Sequence, residues 1–237
     1  MLDRSGSGGI IYMLVPLLIS ALSLTSLNVA AAPAGPLRQV MYKVSVANKT
    51  YSGGEHFSGF SSASTVTTDS GTVTVAIMAV QGDALGIDVT ELMNKTGRPA
   101  TYTGSVSPNG VIFPPETIQD VTRELLQYFA PVIPSDKLDV GSAWDVNANQ
   151  GGVDIHTNYK VTKIDGALLT VAEHQTVKIA AQNATFVTDG TIVLKPSLLV
   201  PVSGDIRRTI SRVTVSGDTK TEASLHFERV SDSKDVP

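Results

Sequence analysis

The chain has 237 residues, of which 42% are hydrophobic and 17% charged, with a formal net charge of -4 and no cysteine. A chain this apolar can bury a sizeable core, which argues against wholesale disorder, and its Lys and Arg residues form no broad basic field, which argues against nucleic acid as a partner. The absence of cysteine removes disulfides, thiolate metal sites, cysteine nucleophiles and a lipidated cysteine anchor together.

The first segment is polar from Met1 to Gly9 and then nearly continuously apolar from Ile10 to Leu27. An alanine-rich exit follows, Val29-Ala30-Ala31-Ala32-Pro33-Ala34, with small residues where a signal peptidase needs them. Residues 1–34 therefore read as a signal peptide, which places the remainder in the periplasm or outside the cell. A retained N-terminal anchor facing outside the cytoplasm is the other reading of the same run, weakened by Pro16 and the serines at 20, 23 and 26. Residues 35–230 are expected to form a single β-rich domain, followed by a flexible tail over 231–237. Stability without disulfides then rests on the hydrophobic core.

Strand patterning dominates that domain. In Thr72 to Val80, Val73, Val75, Ile77 and Ala79 share one face, while Ala76, Met78 and Val80 make the other fairly apolar. This predicts a central strand covered on both sides. Leu85, Ile87 and Val89 alternate with Gly86, Asp88 and Thr90, the pattern of a half-buried strand. Leu169, Val171, Val177 and Ile179 share one parity, as do Ala223, Leu225 and Phe227. Turns are expected at Ser70-Gly71, Gly82-Asp83, Pro108-Asn109-Gly110, Asp165-Gly166, Asp189-Gly190, Gly204-Asp205 and Gly217-Asp218. Hairpins imply antiparallel pairing, and no βαβ crossover is legible.

One helix is predicted over about 115–129, with Ile118, Val121, Leu125 and Tyr128 in one stripe and Leu126 and Phe129 widening it. Its opposite edge, Gln119, Arg123, Glu124 and Gln127, is expected to face water. The fold class that results is mainly β: a curved antiparallel sheet or half-barrel with one amphipathic helix packed on it, between two antiparallel halves. Tyr51 to Ser64 is rich in Gly and Ser, with Phe57 and Phe60 embedded, and reads either as a loop over a binding face or as a solvent hairpin.

Chemistry-bearing motifs are scarce. The histidines at 56, 156, 174 and 226 make no local ligand pair, and neither a His-Glu-x-x-His motif nor a Gly-x-Ser-x-Gly elbow occurs. Asp154 and His156 share a strand face and read as an exposed surface pair. No cofactor and no metal is expected. Arg207, Arg208 and Arg212 form the one basic cluster. It suits either peripheral contact with an acidic membrane surface or an edge strand guarded against aggregation. Trp144, the only tryptophan, is expected as a core anchor.

Leu138-x-Val140-Gly141-Ser142-x-Trp144, after the helix and before the long hairpins, resembles a segment of uncharacterised exported bacterial β-rich proteins. Those are similar in turn to the lipoprotein-carrier (LolA-like) superfamily. The resemblance implies a curved antiparallel sheet wrapping a helix around an apolar cavity. It transfers no individual ligand-binding residue.

The reading favoured by the sequence is an exported, non-catalytic binding module for a lipid or other apolar small molecule. The candidate contact residues are Ile118, Val121, Leu125, Leu126, Phe57, Phe60, Met78, Arg208 and Arg212. A structural or interaction protein of the cell envelope is the second reading. An exported hydrolase with dispersed catalytic residues is the third, and a cleft holding His with a carboxylate and Ser would favour it.

Overall fold

Alternation of apolar and polar residues, punctuated by tight turns, sets eleven strands into one antiparallel sheet. The computed structural model describes residues 36–53, 65–82, 84–107, 110–112, 120–129, 131–134, 137–150, 152–195, 200–214 and 217–233. Residues 1–34, read above as a signal peptide, and Phe57, Phe60 and Ile118 lie outside these residues. In chain order the elements are β1 (Arg38–Gly53), β2 (Thr65–Gln81), β3 (Ala84–Met93), β4 (Ala100–Ser107) and β5 (Gly110–Ile112). The helix α1 (Asp120–Leu126) follows. Then come β6 (Ala143–Gln150), β7 (Val153–Asp165), β8 (Leu168–Ile179), β9 (Ala184–Leu194), β10 (Pro201–Thr214) and β11 (Gly217–Asp232).

The strand order is β5-β4-β3-β2-β1-β11-β10-β9-β8-β7-β6. Each half is a meander, and the halves join where the first strand pairs with the last. The β5-to-β6 connection, which contains α1, therefore leads from one edge of the sheet to the other. The sheet is open, with β5 and β6 as its edges among the described residues. The mainly β architecture with one helix between two antiparallel halves is as the sequence indicates.

The core lies on one face, here called inner. Val40, Tyr42 and Val44 of β1, Val73, Val75 and Ile77 of β2, and Leu85, Ile87 and Val89 of β3 are buried there. Val161, Val171, Ile192, Ile206, Leu225 and Phe227 continue it across the second half. Leu125, Leu126, Tyr128 and Phe129 from the helical segment are buried against this face. Tyr42 meets Phe129 and Phe227 edge-on at 5.8 and 5.9 Å, and Tyr128 stacks on Phe227 at 5.8 Å. Such aromatic contacts add about 0.5–1.5 kcal/mol each beyond area burial. Register shifts at Met41/Tyr42, Ile77/Ala79, Val161/Lys163 and Pro201/Ser203 mark local bends in four strands.

Four expectations need correction. Ser70-Gly71, Asp189-Gly190 and Gly204-Asp205 are not turns but strand interiors of β2, β9 and β10. Their glycines all stand on the inner face, where a side chain at Gly190 and Gly204 and the backbone of β3 at Gly71 occupy the space a Cβ would need. A Cβ at Gly204 would lie 2.5 Å from the Phe227 ring, and one at Gly71 would lie 2.2 Å from the Leu92 carbonyl oxygen. Second, β2 is covered on one side only: Thr72, Thr74 and Ala76 on its other face are half-buried, and the register shift at Ile77/Ala79 breaks the expected alternation before Met78 and Val80. Third, β10 is flanked by β9 and β11, so its arginines do not guard an edge. Fourth, Glu124 does not face water but pairs with Arg208 of the sheet.

Candidate functional site

The inner face is ordered in cross-strand rows. Next to the aromatic core, Tyr159, Glu173, Gly190, Ile206 and Leu225 stand opposite one another on β7 to β11. The next row is polar: Thr157, Gln175, Thr188 and Arg208. The row after that is apolar: Ile155, Val177, Phe186 and Ile210. Successive rows are about 7 Å apart, two residues of extended chain. All four side chains of the apolar row are half-buried, in contrast to the sealed core.

The polar groups are tied together. Gln175 Nε2 donates to Thr157 Oγ1 at 3.1 Å, and Arg208 Nε donates to Thr188 Oγ1 at 3.2 Å. Arg208 Nη2 reaches Glu124 Oε1 of α1 at 3.2 Å, in a pair whose side chains are 19% and 13% exposed. Glu173 is 6% exposed and lies beside the Tyr128 hydroxyl. Burial pushes the Glu173 carboxyl up to about 7, opposed by the neighbouring Tyr128 hydroxyl and the Arg208 charge. Its Oε2 has no hydrogen-bond partner.

A second buried carboxyl lies under the same helix. Glu91 of β3 is 1% exposed, and its Oε2 accepts from the Thr122 hydroxyl. Its Oε1 has no partner, and burial raises its pKa. Among the described residues, these two oxygens are the buried side-chain polar atoms left without a hydrogen bond. Both carboxyls occupy inward positions in apolar series, Val89-Glu91-Met93 and Leu169-Val171-Glu173. A charged residue on an inward parity is the sequence signal that would have found them.

Among the described residues, the outer face carries three paired histidines. His226 Nδ1 lies 2.6 Å from Asp205 Oδ1, and His174 Nδ1 lies 2.7 Å from Asp189 Oδ1. His156 Nδ1 contacts Asn147 Oδ1, and its Nε2 is 3.8 Å from Asp145 Oδ1. Asp154 bonds Asn149 instead of joining His156. Asp205, His226, Ser45 and Ser70 stand in one row across β10, β11, β1 and β2, along an open trough of about 750 Å³. The order Asp-His-Ser is the one nucleophilic catalysis uses. Here β1 and β11 are paired on both sides, so the backbone N–H groups beside Ser45 are engaged in the ladder. They are not free to stabilise an oxyanion. His226 and Asp205 are also largely exposed, at 53% and 77%.

The sequence-derived contact residues separate on the structure. Leu125 and Leu126 are fully buried in the core, and Val121 packs against it partly buried. Met78 is half-buried at the register shift between Ile77 and Ala79 of β2, where the alternation of faces is broken. Arg208 lies in the polar row, and Arg212 is exposed two positions further along the inner parity of β10. Trp144 is a core anchor: it stacks on Tyr159 at 5.3 Å, and its Nε1 donates to the Val132 carbonyl at 3.0 Å. The described residues hold no cluster of metal-ligating side chains.

No family model matches the chain, and no curated protein matches it. Among solved structures, the chain is similar to one in a study of lipid-protein interactions in lipovitellin, with 9% identity and a TM-score of 0.49. The match covers 83% of this chain and 25% of the other, so the chain spans about a quarter of that protein's length. It is also similar to Rv2717c from M. tuberculosis, with 11% identity and a TM-score of 0.31, over 78% of this chain and 89% of that one.

Proposed function

We propose that this chain is an exported, non-catalytic binding module that holds a lipid or other apolar ligand on the inner face of its sheet. The observation that carries the reading is the row Ile155, Val177, Phe186 and Ile210: four apolar side chains on four adjacent strands, half-buried beside a core that is otherwise sealed. Full burial of such side chains is worth about 1.5–3 kcal/mol each. Covering what remains exposed would thus stabilise a complex by several kcal/mol. The adjoining row of Thr157, Gln175 and Arg208 suits the polar end of an amphiphile. Absence of catalysis is supported by the engaged backbone around Ser45 and by the repetition of exposed His-Asp pairs along the outer face.

The test is binding of a fluorescent long-chain fatty acid to the purified chain, with Ile210→Glu against Thr209→Glu, one position along the same strand and on the other face. Ile210→Glu is expected to weaken binding at least about 10-fold and Thr209→Glu to leave it unchanged, with circular dichroism confirming that both variants fold. Equal binding by a folded Ile210→Glu protein contradicts the reading. Where Ile210→Glu fails to fold, Phe186→Ser takes its place.

A further inference from the structure

Two buried carboxyls beneath one short helix form an arrangement that packing alone does not require. Glu91 on β3 reaches the helical segment through Thr122, and Glu173 on β8 reaches it through Tyr128. Each keeps one oxygen sealed from water and without a partner. A buried carboxyl in that state is stable as the neutral acid and costly as the anion. The helix itself is seven residues long and has little stability of its own. It stays in place through Leu125, Leu126, Tyr128 and Phe129, the two carboxyl contacts and the Glu124–Arg208 ion pair. The strands beneath it are locked by ladders on both sides.

We propose that α1 is a proton-controlled strap, seated on the inner face while Glu91 and Glu173 are neutral and lifting from it when they ionise. The groups facing Glu173 are Tyr128 and Glu124 from the helical segment, Arg208 from β10, Asp189 from β9 and Tyr159 from β7. Those facing Glu91 are Thr122 from α1 and Asp69 from β2. Arg208 is the only cation in either set. It is shared: neutral Glu173 leaves Arg208 to Glu124 and so to the helix, whereas ionised Glu173 competes with Glu124 for it. Ionisation thus adds an unfavourable buried charge and weakens the ion pair that braces the strap.

The sign follows from linkage. The carboxyl of Glu173 is raised from about 4.5 to about 7 when the strap is seated. The seated state therefore has its full advantage below about 4.5 and loses it as pH rises through about 7. That interval corresponds to roughly 300-fold in the ratio of seated to lifted strap, with Glu91 acting in the same direction. Regulation of ligand access by this movement rests on the inner face being the ligand surface; the movement itself does not.

Amide hydrogen exchange of the full chain without ligand, from pH 5 to pH 8 and corrected for intrinsic exchange, tests the proposal. Trp144 fluorescence is the parallel readout, because its Nε1 is anchored to the segment that follows the helix. Amides of 120–129 are expected to lose protection by more than about 10-fold across that range while strand amides hold theirs. Glu91→Gln with Glu173→Gln is expected to abolish the response, and Glu173→Gln alone serves where the double variant fails to fold. Constant protection of 120–129 in the unsubstituted chain overturns the proposal, as does an undiminished response in folded Glu173→Gln protein. A strap that responds to pH in a chain binding no fatty acid at either pH would sustain this inference and sink the ligand reading instead.

Discussion

At the scale of single residues, the inner-face glycines show how one sequence signal serves two structural purposes. Asp-Gly and Gly-Asp pairs mark a tight turn at Asp165-Gly166, where φ of Gly166 is 58°. The same pairs at Asp189-Gly190 and Gly204-Asp205 sit inside strands, where the missing side chain makes room for Ile206 and Phe227. Sequence cannot separate the cases, because the neighbour that fills the space comes from another strand. The obstacles differ in kind, and the difference is measurable. At Gly190 a Cβ meets the flexible end of Ile206 at 2.5 Å, whereas at Gly71 it meets backbone of β3 at 2.2 Å. Gly71→Ala is expected to destabilise by about 2–3 kcal/mol or more and Gly190→Ala by less, read from urea midpoints, since overpacking typically costs about 1–3 kcal/mol. Equal midpoints for the two variants would contradict this account of why the glycines are there.

At the scale of elements, the helix was legible and its surroundings were not. The stripe of Leu125, Leu126, Tyr128 and Phe129 faces the sheet as its period indicates. The helical pattern alone places Glu124 in water because its partner, Arg208, lies far away in sequence, on β10. Arg208 itself was legible as a member of the one basic cluster, with Arg207 and Arg212. The buried carboxyls of Glu91 and Glu173 went unnoticed, although their inward parity is written in the sequence. Phe129 is 1% exposed and packs edge-on against Tyr42. Phe129→Ala is expected to cost about 3–5 kcal/mol in chemical denaturation, against less than about 0.5 kcal/mol for Leu92→Ala on the exposed side. A small loss at Phe129 would mean that the helical segment contributes little to the core.

At the scale of the whole molecule, turns and alternation were enough to place antiparallel halves on either side of a helix. The seam between those halves was not foreseen, since it joins the two ends of the sheet-forming chain. β1 and β11 pair along their length, and Arg38 of the first holds Asp232 of the second, its Nε donating to Oδ1 at 2.9 Å, with both residues buried. Arg229 Nη1 adds a contact to Asp232 Oδ2 at 2.8 Å. This network keeps β11 ordered through Asp232, two residues into the stretch expected to be a tail. Closing the seam on the strands themselves leaves the inner face of β7 to β10 to carry the polar and apolar rows. The central claim is that these rows hold an apolar ligand. Native mass spectrometry of the chain purified from its own host, followed by solvent extraction, tests it most directly. The account predicts a bound lipid or other apolar molecule in defined stoichiometry, lost in the Ile210→Glu variant. A clean ligand-free mass with no uptake of added lipids would contradict it and leave a structural module of the cell envelope as the better explanation.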